Sequence, residues 1–208
     1  MKKLLSFFLF FAAAAFFIAS CDKDPDPDPD PDPDPVSTVF PFYKLNTTWT
    51  YDTYDSDSPG IVISVIYKIT AIDTQGYATV SWTIGGFPGP NVEWYADNTK
   101  FSKLCSKATG TMLIYCTANP SVGDLWTETW TTGTGDITDS VEVVALSETV
   151  TVPAGTFTDC IKLKETTSDD PVYYTFYWFS KTKGIVKSES TTQEDYPDIL
   201  YQDLRTFE

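Results

Sequence analysis

The sequence predicts an all-β protein built from antiparallel strands, with little or no helix. From residue 36 onward β-branched and aromatic residues dominate, and aromatic residues make up 15% of the chain. Gly, Pro, Asn and Asp interrupt this pattern at close intervals, and no stretch shows a convincing helical period. Many short strands at hairpin spacing are typical of antiparallel sheets.

The first strands can be placed one by one. Residues 49–54 alternate large and small side chains with a period of two, and the polar run 55–60 then turns the chain. Strands are expected at 61–73 and 77–84, before the Gly- and Pro-rich stretch 85–90 interrupts the pattern. The later strands are predicted at 91–96, 100–105, 111–117, 125–132, 137–147, 149–152, 156–165, 172–179 and 184–190.

Two halves of the domain, about 36–118 and 119–208, echo each other in sequence. Each contains an opening Trp strand, a long hairpin and a closing aromatic strand, so that Trp49 and Trp94 correspond to Trp126 and Trp178. Repeats built from hairpins commonly share one sheet and cover each other's apolar faces. The alternative is that sheets rich in Trp and Thr resemble one another through composition alone.

Residues 1–20 have the pattern of a secretory signal. Lys2 and Lys3 precede an apolar run over 4–18 that ends in small residues. The run is shorter than the ~20 residues that a membrane-spanning helix needs. We therefore expect the signal to be removed and the mature protein to have no membrane-spanning helix.

The end of this segment, Ile18-Ala19-Ser20-Cys21, resembles a bacterial lipobox. The resemblance implies that Cys21 becomes the lipidated N-terminus and attaches the protein to a membrane. Each buried methylene of an acyl chain contributes about 0.8 kcal/mol, so several chains on one residue make a stable anchor. The alternative is an ordinary secreted protein with a chance Cys near its start.

Residues 21–35 are expected to form a spacer, because an Asp-Pro repeat occupies 24–35. Proline fixes φ and keeps the preceding Asp out of the helical region, so the stretch is extended. At about 3.1 Å per residue it holds the domain up to roughly 40 Å from the lipid. Acidic residues after a lipidated Cys resemble the surface-export signal of Bacteroides-type lipoproteins. This resemblance implies an outer-membrane protein that is exposed at the cell surface. The alternative is attachment to the inner leaflet of the outer membrane.

Charge and composition exclude several classes of function. The formal net charge is −15, and residues 36–208 carry 22 acidic against 11 basic side chains, so nucleic-acid binding is excluded. The chain has no His, which removes the commonest general base and metal ligand. Asp55, Asp57 and Gly60 match the start of a Ca²⁺ loop, but Ile66 stands where a bidentate carboxylate is needed. We expect a turn there, and we predict no catalytic residue, metal site or cofactor.

Three cysteines remain after Cys21. Cys105 and Cys116 flank a predicted hairpin turn, and with Gly110 and Thr111 at its tip they would face each other across the ladder and allow a disulfide. The alternative is that both are small buried apolar residues. Cys160 is interpreted as a core residue.

The second half carries a more specific resemblance. Its motifs are Val-Gly-Asp-Leu-Trp at 122–126, Val-Pro-Ala-Gly-Thr-Phe at 152–157 with Cys160, and Trp178 followed by Gly-Ile-Val-Lys at 184–187. They resemble a signature of uncharacterised outer-membrane lipoproteins of Bacteroides and related bacteria. The resemblance implies a curved antiparallel sheet, a half-barrel or open barrel similar to the LolA and LolB lipoprotein carriers, without known enzymatic activity.

The leading functional hypothesis is a non-enzymatic binding domain. Aromatic side chains on a concave face suit an apolar molecule, a glycan or a protein partner, and the candidate ligand-binding residues are Trp49, Trp94, Trp126 and Trp178. Large aromatic residues are also the usual filling of a core. A carboxylate-based envelope hydrolase is the first alternative; it would use two of Glu93, Glu128 and Glu165 roughly 5 to 10 Å apart. A structural surface lipoprotein is the second.

Overall fold

The computed structural model describes residues 37–106, 109–133, 135–168, 172–191 and 199–208, and within them the protein is all-β, as predicted. The predicted signal, Cys21 and the Asp-Pro spacer lie outside the described residues. No helix in the described part of the chain is long and apolar enough to span a membrane. The strands are β1 (Thr48–Asp55), β2 (Ser58–Ile72), β3 (Tyr77–Ile84), β4 (Phe87–Pro88), β5 (Val92–Ala96), β6 (Lys100–Ser106), β7 (Thr111–Thr117), β8 (Leu125–Thr132), β9 (Gly135–Val152), β10 (Gly155–Thr167), β11 (Tyr173–Ser180), β12 (Gly184–Thr191) and β13 (Leu200–Phe207).

All strands belong to one antiparallel sheet. Its order is β7-β6-β5-β3-β2-β1-β13-β12-β11-β10-β9-β8, with the two-residue β4 beside β3. The sheet curves until it is nearly closed into a barrel, which confirms the predicted architecture. Strands β1 to β7 form one meander and β8 to β13 a second, and the two join where β1 pairs with β13. A structural likeness between the two halves stays a prediction.

Strand β13 was not expected from the sequence. Gln202, Asp203 and Arg205 are polar residues with little preference for strands. The strand forms because Leu204 is fully buried and Phe207 packs edge-on against Trp49 at 5.8 Å between ring centroids. Tertiary packing thus overrides local propensity in the strand that joins the two halves.

Strand β9 replaces two strands that were predicted separately at 137–147 and 149–152. The interruption at Ser147 is a bulge, because Ser147 has a φ of 61° and the pairing with β10 shifts register between Phe157 and Cys160. A bulge bends a strand without ending it. The result is one bent hairpin, β9–β10. In its turn the Ala154 N–H donates a hydrogen bond of 2.9 Å to the Leu204 carbonyl oxygen of β13.

The segment before β1 fills one end of the barrel. Phe40, Phe42 and Tyr43 are all at most 1% exposed although they lie outside the strands. The Phe42 ring lies 5.5 to 6.0 Å from the rings of Trp49, Phe101 and Phe179. Edge-to-face contacts of this kind stabilise an aromatic core beyond the area that they bury. The aromatic segment closes the interior at the end where β1 and β12 begin.

Candidate functional site

The interior of the barrel contains a cavity of about 340 Å³. This volume lies within the range of small-molecule sites in proteins. The cavity is lined by β1, β2, β3, β5, β6 and β7 of the first meander and by β11, β12 and β13 of the second. Leu200 belongs to the lining and is 45% exposed, so the cavity reaches solvent at the start of β13. Both halves of the chain are therefore needed to form it.

Tyr67, Trp82 and Trp94 form one side of the cavity, which we call the aromatic wall. Tyr67 pairs with Trp82 across β2 and β3, which places both rings on the inner face. The Tyr67 ring lies 6.3 Å from each Trp ring, at interplanar angles of 26° and 27°. Both Trp rings thus stack against the Tyr67 ring with a moderate tilt, and this surface suits flat apolar groups.

The Gly- and Pro-rich loop after β3 holds Trp82 in this wall. The indole Nε1 of Trp82 donates a hydrogen bond to the carbonyl oxygen of Pro90 at 2.8 Å. Gly89 lies so close to the indole that a Cβ atom there would approach the ring to 2.1 Å. The absence of a side chain at Gly89 therefore allows the loop to cover one face of Trp82.

Other parts of the lining carry polar groups, which we call the polar wall: Lys103, Tyr115, Tyr177, Ser188, Ser190 and Gln202. The side-chain amide oxygen of Gln202 accepts a hydrogen bond of 3.5 Å from the Ser188 hydroxyl. Burial raises the pKa of Tyr67 above its ordinary value, although Lys103 and Gln202 act in the other direction. The cavity lining therefore combines aromatic rings with polar groups.

A buried carboxylate lies behind the polar wall. Glu165 Oε1 accepts a hydrogen bond from Tyr115 and Oε2 accepts one from Tyr177, both at 2.6 Å. Burial, followed by the neighbouring Glu165 charge, raises the pKa of both tyrosines well above the ordinary value. Both hydroxyls therefore stay protonated and act as donors to the carboxylate, which makes the burial of Glu165 tolerable.

Of the four Trp residues predicted to bind ligand, Trp94 lines the cavity and the others lie elsewhere. Trp49 is 1% exposed in the core and donates a hydrogen bond to the Lys183 carbonyl oxygen. Trp178 lies on the outer face, where the ammonium groups of Lys162 and Lys187 lie 4.8 and 5.0 Å from its ring.

Trp126 is half-buried on β8 against the core. Sequence reasoning selected neither Tyr67 nor Trp82 as a ligand-binding candidate. One feature of the sequence could have identified both residues. They lie in neighbouring strands, at positions where the period-two alternation of side chains directs them toward the interior. Residues 65, 67 and 69 in β2 are buried or half-buried between exposed neighbours.

The three glutamates considered for hydrolysis have different surroundings. Glu93 and Trp94 are successive residues of β5, so Glu93 points to the other face of the sheet. Glu128 pairs with Asp139 across β8 and β9, two strands from Glu165. The carboxylate-based hydrolase stays a prediction.

The expected register around Cys105 and Cys116 is wrong. In the β6–β7 hairpin Cys116 pairs with Phe101, and Leu104 pairs with Met112, so Cys105 lies near the turn and far from Cys116 along the ladder. The reason is that the turn falls before Thr111, the first residue of β7, and two bulges shift the pairing. Cys105, Cys116 and Cys160 are all free thiols in this structure, so the expected disulfide is not formed.

The fold and the cavity together define a class of protein, a nearly closed antiparallel barrel with an aromatic-lined interior. A crystal structure of a candidate exported protein from Bacteroides fragilis, described as having a YmcC-like fold, is similar in fold to this chain. It is 18% identical, the alignment covers 79% of this chain and 96% of that one, and the TM-score is 0.56.

A crystal structure of a candidate lipoprotein from Parabacteroides distasonis is similar as well. It is 17% identical, with 80% of this chain and 96% of that chain covered and a TM-score of 0.55. No family model matches the sequence, and no curated protein does. At these identities the likeness concerns the fold, which is YmcC-like. The expected signature motifs and the similarity to LolA and LolB stay predictions.

Proposed function

We propose that this protein is a lipid-anchored envelope lipoprotein whose β domain binds a small ligand inside the barrel without chemical conversion. The observation that carries the proposal is the aromatic wall, in which two Trp rings stack against the Tyr67 ring and line a cavity of about 340 Å³ that is open to solvent near Leu200. Concave apolar sites with a few polar groups are the usual form of small-molecule pockets. A ligand with a flat, apolar ring face fits this wall best.

Binding without catalysis is supported by the state of the polar groups. The carboxylate of Glu165 has both oxygens occupied by tyrosine hydroxyls. The two tyrosines stay protonated at neutral pH because their pKa values are raised well above the ordinary range, so neither supplies a phenolate that could act as a base. The chain contains no His that could serve as a general base.

The anchor is proposed from the sequence, with Cys21 as the lipidated residue and 21–35 as the spacer. A lipoprotein of similar fold in Parabacteroides distasonis supports this placement. Attachment to the outer membrane, with the domain at the cell surface, follows as part of the same proposal. Metabolic labelling with a fatty acid should mark the wild-type chain and leave Cys21→Ser unlabelled, and external protease should remove the domain from intact cells.

The ligand proposal is tested with N-phenyl-1-naphthylamine, a neutral fluorescent probe with flat rings. The chain from residue 21 with Cys21→Ser keeps the whole barrel and its core and needs no detergent, in which the probe would dissolve. Saturable binding is expected, and Ser190→Phe, which places a ring inside the cavity, should abolish it. Glu189→Phe is the matched control because its side chain points to the other face of β12.

Two outcomes would overturn the proposal. The first is an absence of saturable binding of the probe and of a panel of neutral oligosaccharides, which would favour the structural surface role. The second is equal binding by Ser190→Phe and wild type, which would move the binding surface outside the barrel.

A further inference from the structure

Lys103 stands out among the described residues that line the cavity, because it is the one that carries a charge. It lies on β6 opposite Trp94 of β5, so its side chain shares the inner face with the aromatic wall. The Lys103 side chain is half-buried, and the ammonium group of such a lysine usually either reaches solvent or has a polar partner. The contacts of the Lys103 ammonium group therefore decide which ligands the cavity can accept.

Among the described residues the ammonium group has one weak polar contact. Its Nζ donates a hydrogen bond of 3.3 Å to the Tyr115 hydroxyl and lies 5.6 Å from the centre of that ring. No ion pair between described residues includes Lys103. An ammonium group has three donors, so two remain for a group inside the cavity.

The buried carboxylate of Glu165 forms no ion pair with this ammonium group. Glu165 lies behind Tyr115, and its oxygens accept hydrogen bonds from Tyr115 and Tyr177. The Glu165 carboxylate thus binds the two tyrosine hydroxyls. The charged group on the surface of the cavity is the Lys103 ammonium group. Gln202 and Ser188 add uncharged polar groups to the same wall.

We infer that the cavity takes a ring-bearing monoanion, whose carboxylate or sulfonate group binds the Lys103 ammonium group while its rings lie against the aromatic wall. This inference rests on the proposed function and adds the charge of the ligand. A charge-assisted hydrogen bond contributes about 1.5 kcal/mol or more, which corresponds to roughly tenfold in affinity. The net negative charge of the domain repels anions at long range. The preference for an anionic over a neutral ligand therefore comes from the contact with Lys103 alone.

The experiment compares two probes that differ by one group. 8-Anilino-1-naphthalenesulfonate has the ring skeleton of N-phenyl-1-naphthylamine and an added sulfonate. Titrations with the unlipidated chain should give roughly tenfold tighter binding of the anionic probe. Lys103→Met should remove most of this preference, measured as the ratio of the two affinities, whereas Lys103→Arg should retain it.

Lys68→Met is the matched control, because Lys68 follows Tyr67 in β2 but is exposed on the outer face. It should bind both probes like the wild type, and thermal unfolding should show that every variant is folded. If the neutral probe binds and Lys103→Met leaves the preference unchanged, the inference is overturned and the proposed function stands. If neither probe binds the wild type in a saturable way, both are overturned.

Discussion

The hydroxyl of Tyr115 lies 2.6 Å from Oε1 of Glu165 and donates a hydrogen bond to it across the interior of the barrel. Tyr115 belongs to β7, at one end of the sheet, and Glu165 belongs to β10, near the other end. The ends of the sheet are not joined by a ladder, so this bond connects them through side chains. Tyr177 of β11 donates to the second oxygen and completes the link.

We expect Glu165→Ala to destabilise the protein strongly, because it leaves two buried hydroxyls without an acceptor. The free energy of unfolding should fall by about 2 to 4 kcal/mol, measured by urea denaturation. Glu142→Ala is the control, because Glu142 lies on β9 but is exposed, and its effect should stay within about 0.5 kcal/mol. Additive effects of Tyr115→Phe and Glu165→Ala would contradict a direct coupling between the two side chains.

The packing of Gly89 on Trp82 leads to a prediction about the aromatic wall. In Gly89→Ala the new methyl group would overlap the indole ring, so Trp82 must shift. We expect weaker binding of N-phenyl-1-naphthylamine and an altered tryptophan emission spectrum. Gly60→Ala is the matched control, because a Cβ there meets nothing within 4 Å. Unchanged probe binding in Gly89→Ala would show that the loop does not position Trp82.

Much of the fold could be predicted from the sequence because alternation and turn residues act locally. Strand β3 was predicted with the bounds that the structure shows, Tyr77–Ile84, since Gly76 and Gly85 mark both ends and both have positive φ. Strand β13 could not be predicted, because what stabilises it is the burial of Leu204 between distant strands. The aromatic segment at Phe40 and Phe42 was missed for the same reason.

The site was less predictable than the fold. Sequence identified aromatic residues in strands, but the face on which each lies depends on bulges that shift the alternation. Trp178 and Phe179 show this, since a register shift between them leaves Phe179 fully buried and Trp178 under two lysines. Lys103 gave no signal at all, because nothing local distinguishes an inward lysine from an outward one.

Asp97 predicts a specific dependence of stability on pH. Burial raises the pKa of its carboxyl group, but hydrogen bonds from Thr99, Lys100 and Tyr95 outweigh this effect and lower the pKa to about 2. A lowered pKa stabilises the folded state above the unfolded value of about 3.9, and the stabilisation disappears as pH falls to the folded value. The loop also accepts a hydrogen bond from Ser37, through the Asp97 carbonyl oxygen.

We therefore expect Asp97→Asn to be less stable than the wild type at pH 7, with the difference shrinking between about pH 4 and pH 2. Urea unfolding at a series of pH values measures this directly. Asp57→Asn is the control, because Asp57 is exposed in the turn between β1 and β2. A difference between Asp97→Asn and wild type that persists at pH 2 would assign the effect to packing instead of charge.

The cysteines give the last prediction. Burial raises the pKa of Cys105 to about 11, that of Cys116 to about 12 and that of Cys160 to about 11. Since the thiolate is the reactive form, all three should react slowly with iodoacetamide at pH 8 in the folded protein and rapidly in denaturant. Cys105 should react first because it is half-exposed whereas the other two are buried. Mass spectrometry of the alkylated, non-reduced protein measures this order, with Cys105→Ser as the control that removes the fastest phase.

A disulfide between Cys105 and Cys116 in the isolated protein would contradict the register of the β6–β7 hairpin, because the two residues are not opposite each other on the ladder.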